Sequence, residues 1–304
     1  MIRTDLAMEA VDGQRGQEIP GVSVTEDDDT EGVHRVKVRI ISAEGEQALG
    51  KKQGMYITLE AAALAQGDKE LDERCAKALA DELRGMGGGQ IGDVLVVGLG
   101  NRMVTPDALG PAVADRVFVT RHIHEYAPNE IDERLGKVSA ISPGVLGITG
   151  VETGEVIEGV VKRINPSLII AVDSLASRSM GRIRTTIQIA DTGISPGAGV
   201  GNKRKAIDLE TLGVPVIALG VPLVVYASTV AQDLVASAAD KAGLSGEESQ
   251  KILGAMMDAE GADMIVTPKE IDKVVDDLAR VIADALNIAL HDGISIEETR
   301  MYMH

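Results

Sequence analysis

Apolar residues in this chain follow two spacings, and each predicts a different kind of element. Val94–Val97 and Leu168–Val172 are unbroken apolar runs, and Val214–Leu219 is a third, broken only by Pro215. Runs of this kind are expected of strands covered on both faces in a parallel sheet. From Val33 to Ile41 the pattern instead alternates: Arg35, Lys37 and Arg39 fall on one face, Val36, Val38 and Ile40 on the other. That predicts a half-exposed strand, with Gly54–Glu60 and Arg184–Ile189 as further strands.

Helical spacing predicts helices over 68–84, from Asp107 onward, and from Thr153 to a stop before Pro166. Others are expected from Ser228 or Thr229 to about Ala242, from Leu244 to about Glu260, and from Thr267-Pro268 to about Leu290. In the last, Ile271, Val274, Val275, Leu278, Ile282 and Leu286 form one apolar stripe. Residues 121–135 read as a connection, Glu26–Asp29 as a solvated acidic loop, and the tail from His291 as frayed. The fold class these elements imply is α/β: a single three-layer domain with a mostly parallel twisted central sheet flanked by helices, plus an N-terminal antiparallel element.

The first buried run leads into Gly98-Leu99-Gly100-Asn101-Arg102-Met103-Val104-Thr105-Pro106-Asp107. The two glycines permit a sharp turn, Thr105 reads as an N-cap and Pro106 as the first helical residue, so Asp107 falls in the first turn of a helix. Open α/β sheets place their ligand sites at this point, just past the carboxyl end of a strand. A dinucleotide fingerprint fails because Met103 stands where the third glycine belongs, and a P-loop fails for want of Gly-Lys-Ser/Thr. Asp107 is then either an acid complementing the helix dipole or a catalytic carboxylate. The second buried run ends on Asp173, which reads as a helix cap or as the partner of Asp107. Two carboxylates in a half-dry crevice share a proton, and such a pair can polarise an amide and deprotonate a water.

The stretch Gly98–Pro111 resembles the spore germination proteases, and so do Pro143–Gly150, Thr186–Ile194, Pro196–Lys205 and Gly213–Pro222. The resemblance runs from Arg3 to about Leu290. It implies an endopeptidase that begins the degradation of small acid-soluble spore proteins, made as a zymogen and assembled as a homotetramer. It implies catalytic aspartates at Asp107 and Asp173 and a fold shared with the hydrogenase-maturation endopeptidases, which bind a metal at similar positions; no metal-ligand cluster is evident in this sequence, and no cofactor is expected. The expected cut falls after an acidic residue and before an apolar residue followed by Ala. Asp5-Leu6-Ala7 fits that pattern, so self-cleavage is expected between Asp5 and Leu6, with residues 1–5 as propeptide and 6–304 as the peptidase domain.

Composition narrows the alternatives. The net charge of −17 opposes binding to nucleic acid or anionic membrane, and 2% aromatic residues leave almost nothing for bases to stack on. The single Cys75 fits a reducing compartment and reads as a helix residue without chemistry. No apolar run would span a bilayer and no signal-peptide pattern precedes Arg3, so the expected location is the cytoplasm, which the resemblance implies is that of the developing and dormant spore. Against so acidic a chain, the glycine-rich loop ending in Lys203-Arg204-Lys205 reads either as a pocket for acidic substrate side chains or as relief of local repulsion. Gly144, in the loop from Ser142, and Asn101 are candidate contacts for an extended peptide. His122 and His124 read as a surface pair without an acidic metal-ligand motif. Gly-x-Ser-x-Gly is absent, so no serine nucleophile is expected. Two other readings stay open: a metal-dependent maturation-type endopeptidase, and a non-catalytic binder of anionic ligands using Gly98–Asn101 and Lys203–Lys205.

Overall fold

A computed structural model describes residues 4–14, 18–28, 32–64, 66–88, 92–195, 205–242 and 264–303. Its strands are β1 (Val22–Asp28), β2 (His34–Ile40), β3 (Gly54–Glu60), β4 (Val94–Gly98), β5 (Val138–Ile141), β6 (Leu168–Ser177), β7 (Thr186–Ala190), β8 (Val216–Tyr226) and β9 (Ile265–Val266). The helices are α1 (Ala7–Asp12), α2 (Ala43–Leu49), α3 (Lys69–Met86), α4 (Leu109–Ala114), α5 (Arg121–Tyr126), α6 (Leu146–Thr149), α7 (Thr153–Ile164), α8 (Leu209–Leu212), α9 (Ala227–Ala242), α10 (Ile271–Leu290) and α11 (Ile296–Tyr302).

Among the described residues the strands form one sheet in the order β1-β2-β3-β7-β8-β6-β4-β5, with β9 paired to β8. The block β8-β6-β4-β5 is parallel. β7 joins it antiparallel to β8 and carries the antiparallel β3, β2 and β1. The N-terminal antiparallel element is therefore continuous with the parallel centre. The alternation in β2 serves this arrangement: Val36, Val38 and Ile40 turn inward to the cluster around α1 and α2.

Helices cover both faces. α3, α4 and α10 lie on one, where Leu79, Leu83, Val113, Leu278 and Ile282 pack on Val96, Ile170 and Val172. α7 lies on the other, with Ile157 and Val161 against Leu95, Val97, Ile169 and Ala171. On that same face, Leu6, Ala7 and Met8 pack with Leu175 and Ala190. The unbroken strands thus feed one cluster on each face of the sheet, and the alternating β2 feeds a further cluster with α1 and α2.

Several expectations are corrected. Glu26–Asp28 belong to β1, paired with Val36, Arg35 and His34, because the ladder supplies partners that a loop would lack. β6 does not end at Asp173 but runs on to Ser177, so Asp173 caps no helix. β8 runs through Pro222, which the sheet accommodates by a register shift opposite Leu175 and Ala176. Residues 121–126 of the expected connection form α5. α9 begins at Ala227, ahead of Ser228 and Thr229. α10 begins at Ile271 rather than at Thr267-Pro268; Thr267 Oγ1 instead donates to the Leu223 carbonyl, 2.8 Å away. The tail is not frayed: His291 is buried, Gly136 N–H donates to its Nδ1 at 3.1 Å, and its ring meets Phe118 at 5.1 Å. The helix expected over Leu244–Glu260 lies outside the described residues.

Candidate active site

The site is built at the carboxyl end of β4. Gly98 pairs with Val172 of β6, and the next amide, Leu99 N–H, donates to the Val172 carbonyl at 2.8 Å. The chain then reverses over itself. Gly100 has φ +110°, and a Cβ there would stand 2.1 Å from the Asp107 carbonyl oxygen. Only glycine meets both demands. Asn101 N–H donates to the Asp107 carbonyl at 3.0 Å and to its Oδ2 at 2.8 Å, while Asn101 Oδ1 accepts from Met103 N–H at 2.9 Å.

Thr105–Asp107 form a single 3-10 turn entered from Val104, and α4 starts only at Leu109. The expected Thr105 cap and the helical placement of Asp107 are thereby corrected. The carboxylate of Asp107 closes the turn by accepting from Asn101, a local bond that competes with helix. The 3-10 turn packs against β6.

Asp173 is the residue after Val172. It is 6% exposed, pairs with Gly220 of β8, and its Oδ1 accepts from its own neighbour, Ser174 N–H, at 2.9 Å. It thus stands on β6 just past the point where β4 ends and the Asp107 turn begins. The structure brings Asn101, Asp107 and Asp173 to one end of the sheet by this connectivity. Gly144 reaches the same edge, because its loop follows β5 and β5 runs parallel to β4. It has φ +76°, and its carbonyl accepts from Thr153 Oγ1 at 2.9 Å. Exposed apolar side chains flank this edge: Met103 and Val104 on the turn, Leu146 and Ile148 on α6.

Lys203 and Arg204 lie outside the described residues. Lys205 Nζ binds Glu158 of α7 at 3.1 Å, and Arg102 forks onto Asp115.

Asp5 and Leu6 are held in the body of the protein. Asp5 N–H donates to the Ala176 carbonyl at 3.0 Å, and Ala176 N–H returns a bond to Asp5 Oδ2 at 2.8 Å. Leu6 and Ala7 are fully buried. Burial pushes the Asp5 carboxyl pKa up, against the Ala176 bond and the Lys51 charge, and pushes the Lys51 ammonium pKa down, against the charges of Asp5 and Glu9. Glu9, 3% exposed, accepts from Ser177 Oγ at 2.8 Å and from the Arg178 and Ser179 amides at 2.8 and 3.1 Å, and pairs with Arg182. Sequence reading missed Lys51, Gln188 and Glu9. The one available signal was Gln188, a polar residue on the inward face of an apolar strand.

Cys75 is buried in α3, its thiol pushed up to about 12 by burial, so it is no nucleophile. His122 is exposed and His124 Nε2 meets the Leu135 carbonyl at 3.0 Å. Among the described residues no three His, Cys, Asp or Glu side chains converge as metal ligands.

A family model described as germination protease matches residues 3–245 and 240–303. The chain belongs to the germination protease family. Germination proteases of Caldanaerobacter subterraneus subsp. tengcongensis and Clostridium tetani are 46% and 42% identical over 100% of this chain, covering 98% and 99% of their own. That of Bacillus subtilis is 37% identical over 100% of this chain and 97% of its own. A [NiFe] hydrogenase maturation protease from Thermococcus kodakarensis aligns with 67% of this chain and 98% of its own at 19% identity, with a TM-score of 0.36, too low to assign a common fold. As a germination protease the chain is a peptidase that acts in germination. Among its described residues no helix is long and apolar enough to cross a membrane.

Proposed function

We propose that this germination protease is an aspartate-dependent endopeptidase, with Asp107 and Asp173 as its acid–base pair and water as the nucleophile. One carboxylate takes a proton from the attacking water and the other gives one to the departing nitrogen. The cut falls after an acidic residue and before an apolar residue followed by Ala, in small acid-soluble spore proteins. The chain is made as a zymogen that cuts itself between Asp5 and Leu6, works in the spore cytoplasm and assembles as a tetramer. Asn101, Gly144, Lys203 and Arg204 contact the substrate.

The observation that carries this reading is the location of Asp173. It lies at the carboxyl end of β4 beside the Asp107 turn, and the segment with the expected cleavage sequence docks on the same strand at Ala176. The separation along β6 is three residues, about 10 Å at strand rise. The exposed apolar side chains at this edge suit the apolar residue of an extended substrate.

The test is intact mass after mildly acidic incubation, for wild type and Asp173→Asn together, with melting curves for both. Loss of residues 1–5 from the wild type alone supports the reading. If the folded variant is processed equally fast, the pair assignment fails.

A further inference from the structure

Two side chains outside the aspartate pair converge on one atom, the carbonyl oxygen of Asp5. Lys51 Nζ lies 2.9 Å from it and Gln188 Nε2 lies 3.1 Å from it. We propose that Lys51 and Gln188 form the cradle that stabilises the oxyanion when the Asp5–Leu6 bond is cut. This rests on the self-processing reading and adds the residues that make its transition state accessible.

The geometry is specific to that carbonyl. Gln188 Oε1 accepts from Ala7 N–H at 2.7 Å, so the amide can satisfy both backbone groups in one orientation only, with Nε2 facing Asp5. One Gln thus grips the chain on both sides of the bond to be cut. Lys51 also holds the Thr4 carbonyl at 3.0 Å, which anchors the preceding residue. Side chains that only tether a terminus have no need to meet at a scissile carbonyl, whereas donors at 2.7–3.1 Å from a developing oxyanion are a recurrent requirement of acyl transfer. Negative charge appearing on that oxygen strengthens its bond to the Lys51 ammonium more in the transition state than in the ground state.

There is also room for the water. A cavity of about 200 Å³ is lined by Asp5, Lys51, Gln188, Leu175 and Gly220, among others. Gly220, one of its lining residues, is the strand partner of Asp173. In the reaction the water oxygen bonds to the Asp5 carbonyl carbon and the C–N bond breaks. The Leu6 nitrogen leaves as the amine, carrying a proton supplied by the acid of the pair. One water proton goes to the base of the pair, and the second passes from the new carboxyl to the amine, leaving Asp5 as a terminal carboxylate and Leu6 as an ammonium.

The experiment is a time course of intact mass on the full chain for wild type, Lys51→Met and Gln188→Glu. Hydrogen exchange of the Ala7 amide is read in parallel. Gln188→Glu keeps an acceptor for Ala7 and replaces the donor to Asp5 with a negatively charged acceptor. Each variant is expected to process at least about 100-fold more slowly, as loss of one such donor does elsewhere, with Ala7 still protected. Processing at the wild-type rate in both folded variants overturns the cradle and leaves the aspartate reading standing. Slow processing with Ala7 protection lost in both variants also overturns it, because the two residues then serve only to hold the segment. A wild type that never loses residues 1–5 overturns self-processing and the cradle with it.

Discussion

Gly98 and Gly110 meet backbone to backbone: a Cβ on Gly98 would stand 2.2 Å from the Gly110 carbonyl oxygen. A Cβ on Gly110 would in turn stand 2.2 Å from the Leu99 carbonyl and 2.5 Å from that of Val172. The start of the turn, the start of α4 and the middle of β6 are therefore packed at backbone distance. Gly98→Ala or Gly110→Ala should lower stability by about 1–3 kcal/mol or more, because the obstructing atoms are main chain and cannot rotate away. Gly147→Ala, where nothing lies within 4 Å, should be neutral. Urea unfolding of the three variants checks this, and peptide hydrolysis should fall in the first two.

Asp107→Asn and Asp173→Asn should each lower kcat/KM on an acidic-site peptide by about 10²–10⁴-fold. The double variant should be scarcely worse than either single one, because residues acting as a unit lose their effect together. Additive losses would show two independent roles.

His291 predicts a loss of stability in acid. Burial pushes its imidazole from 6.5 down to about 4, the Phe118 carbonyl opposing and nearby His124 adding to the shift. The unfolded chain then binds the proton more tightly than the folded one. Stability is full above pH 6.5 and falls as the pH drops toward 4, by up to about 3 kcal/mol. The urea midpoint should drop across this window, and His291→Gln should flatten the drop.

Arg182 reaches Glu9, Asp12 and Glu60 from one position. Arg182→Leu should cost about 2 kcal/mol, less than a bare buried charge, because backbone and hydroxyl donors still hold Glu9. Limited proteolysis should then cut first near α1.

The central strands and the amphipathic α10 were legible because burial on both faces, or on one stripe, leaves a periodic trace in the sequence. The glycine turn was legible because Gly98 and Gly100 answer a local steric demand. What escaped reading depends on contacts distant in sequence. β6 runs past Asp173 because β8 accompanies it, and His291 is ordered by Phe118 and Gly136. Lys51 and Gln188 are separated by 137 positions and meet only through the sheet. The glycine-rich run ending at Lys203 and Arg204 carries no periodicity to read.

Leu6 is wholly enclosed, and its amide donates to Thr4 Oγ1 at 3.1 Å. The cut proposed after Asp5 would turn that amide into a charged ammonium inside an apolar cluster, beside an equally new carboxylate. Neither charge is tolerated there without water or a close counter-ion. Lys51, already 2.9 Å from the Asp5 carbonyl, would hold the new carboxylate, whereas the Leu6 ammonium would have to leave the apolar cluster for water, so the same burial would act as a ratchet against reformation of the bond.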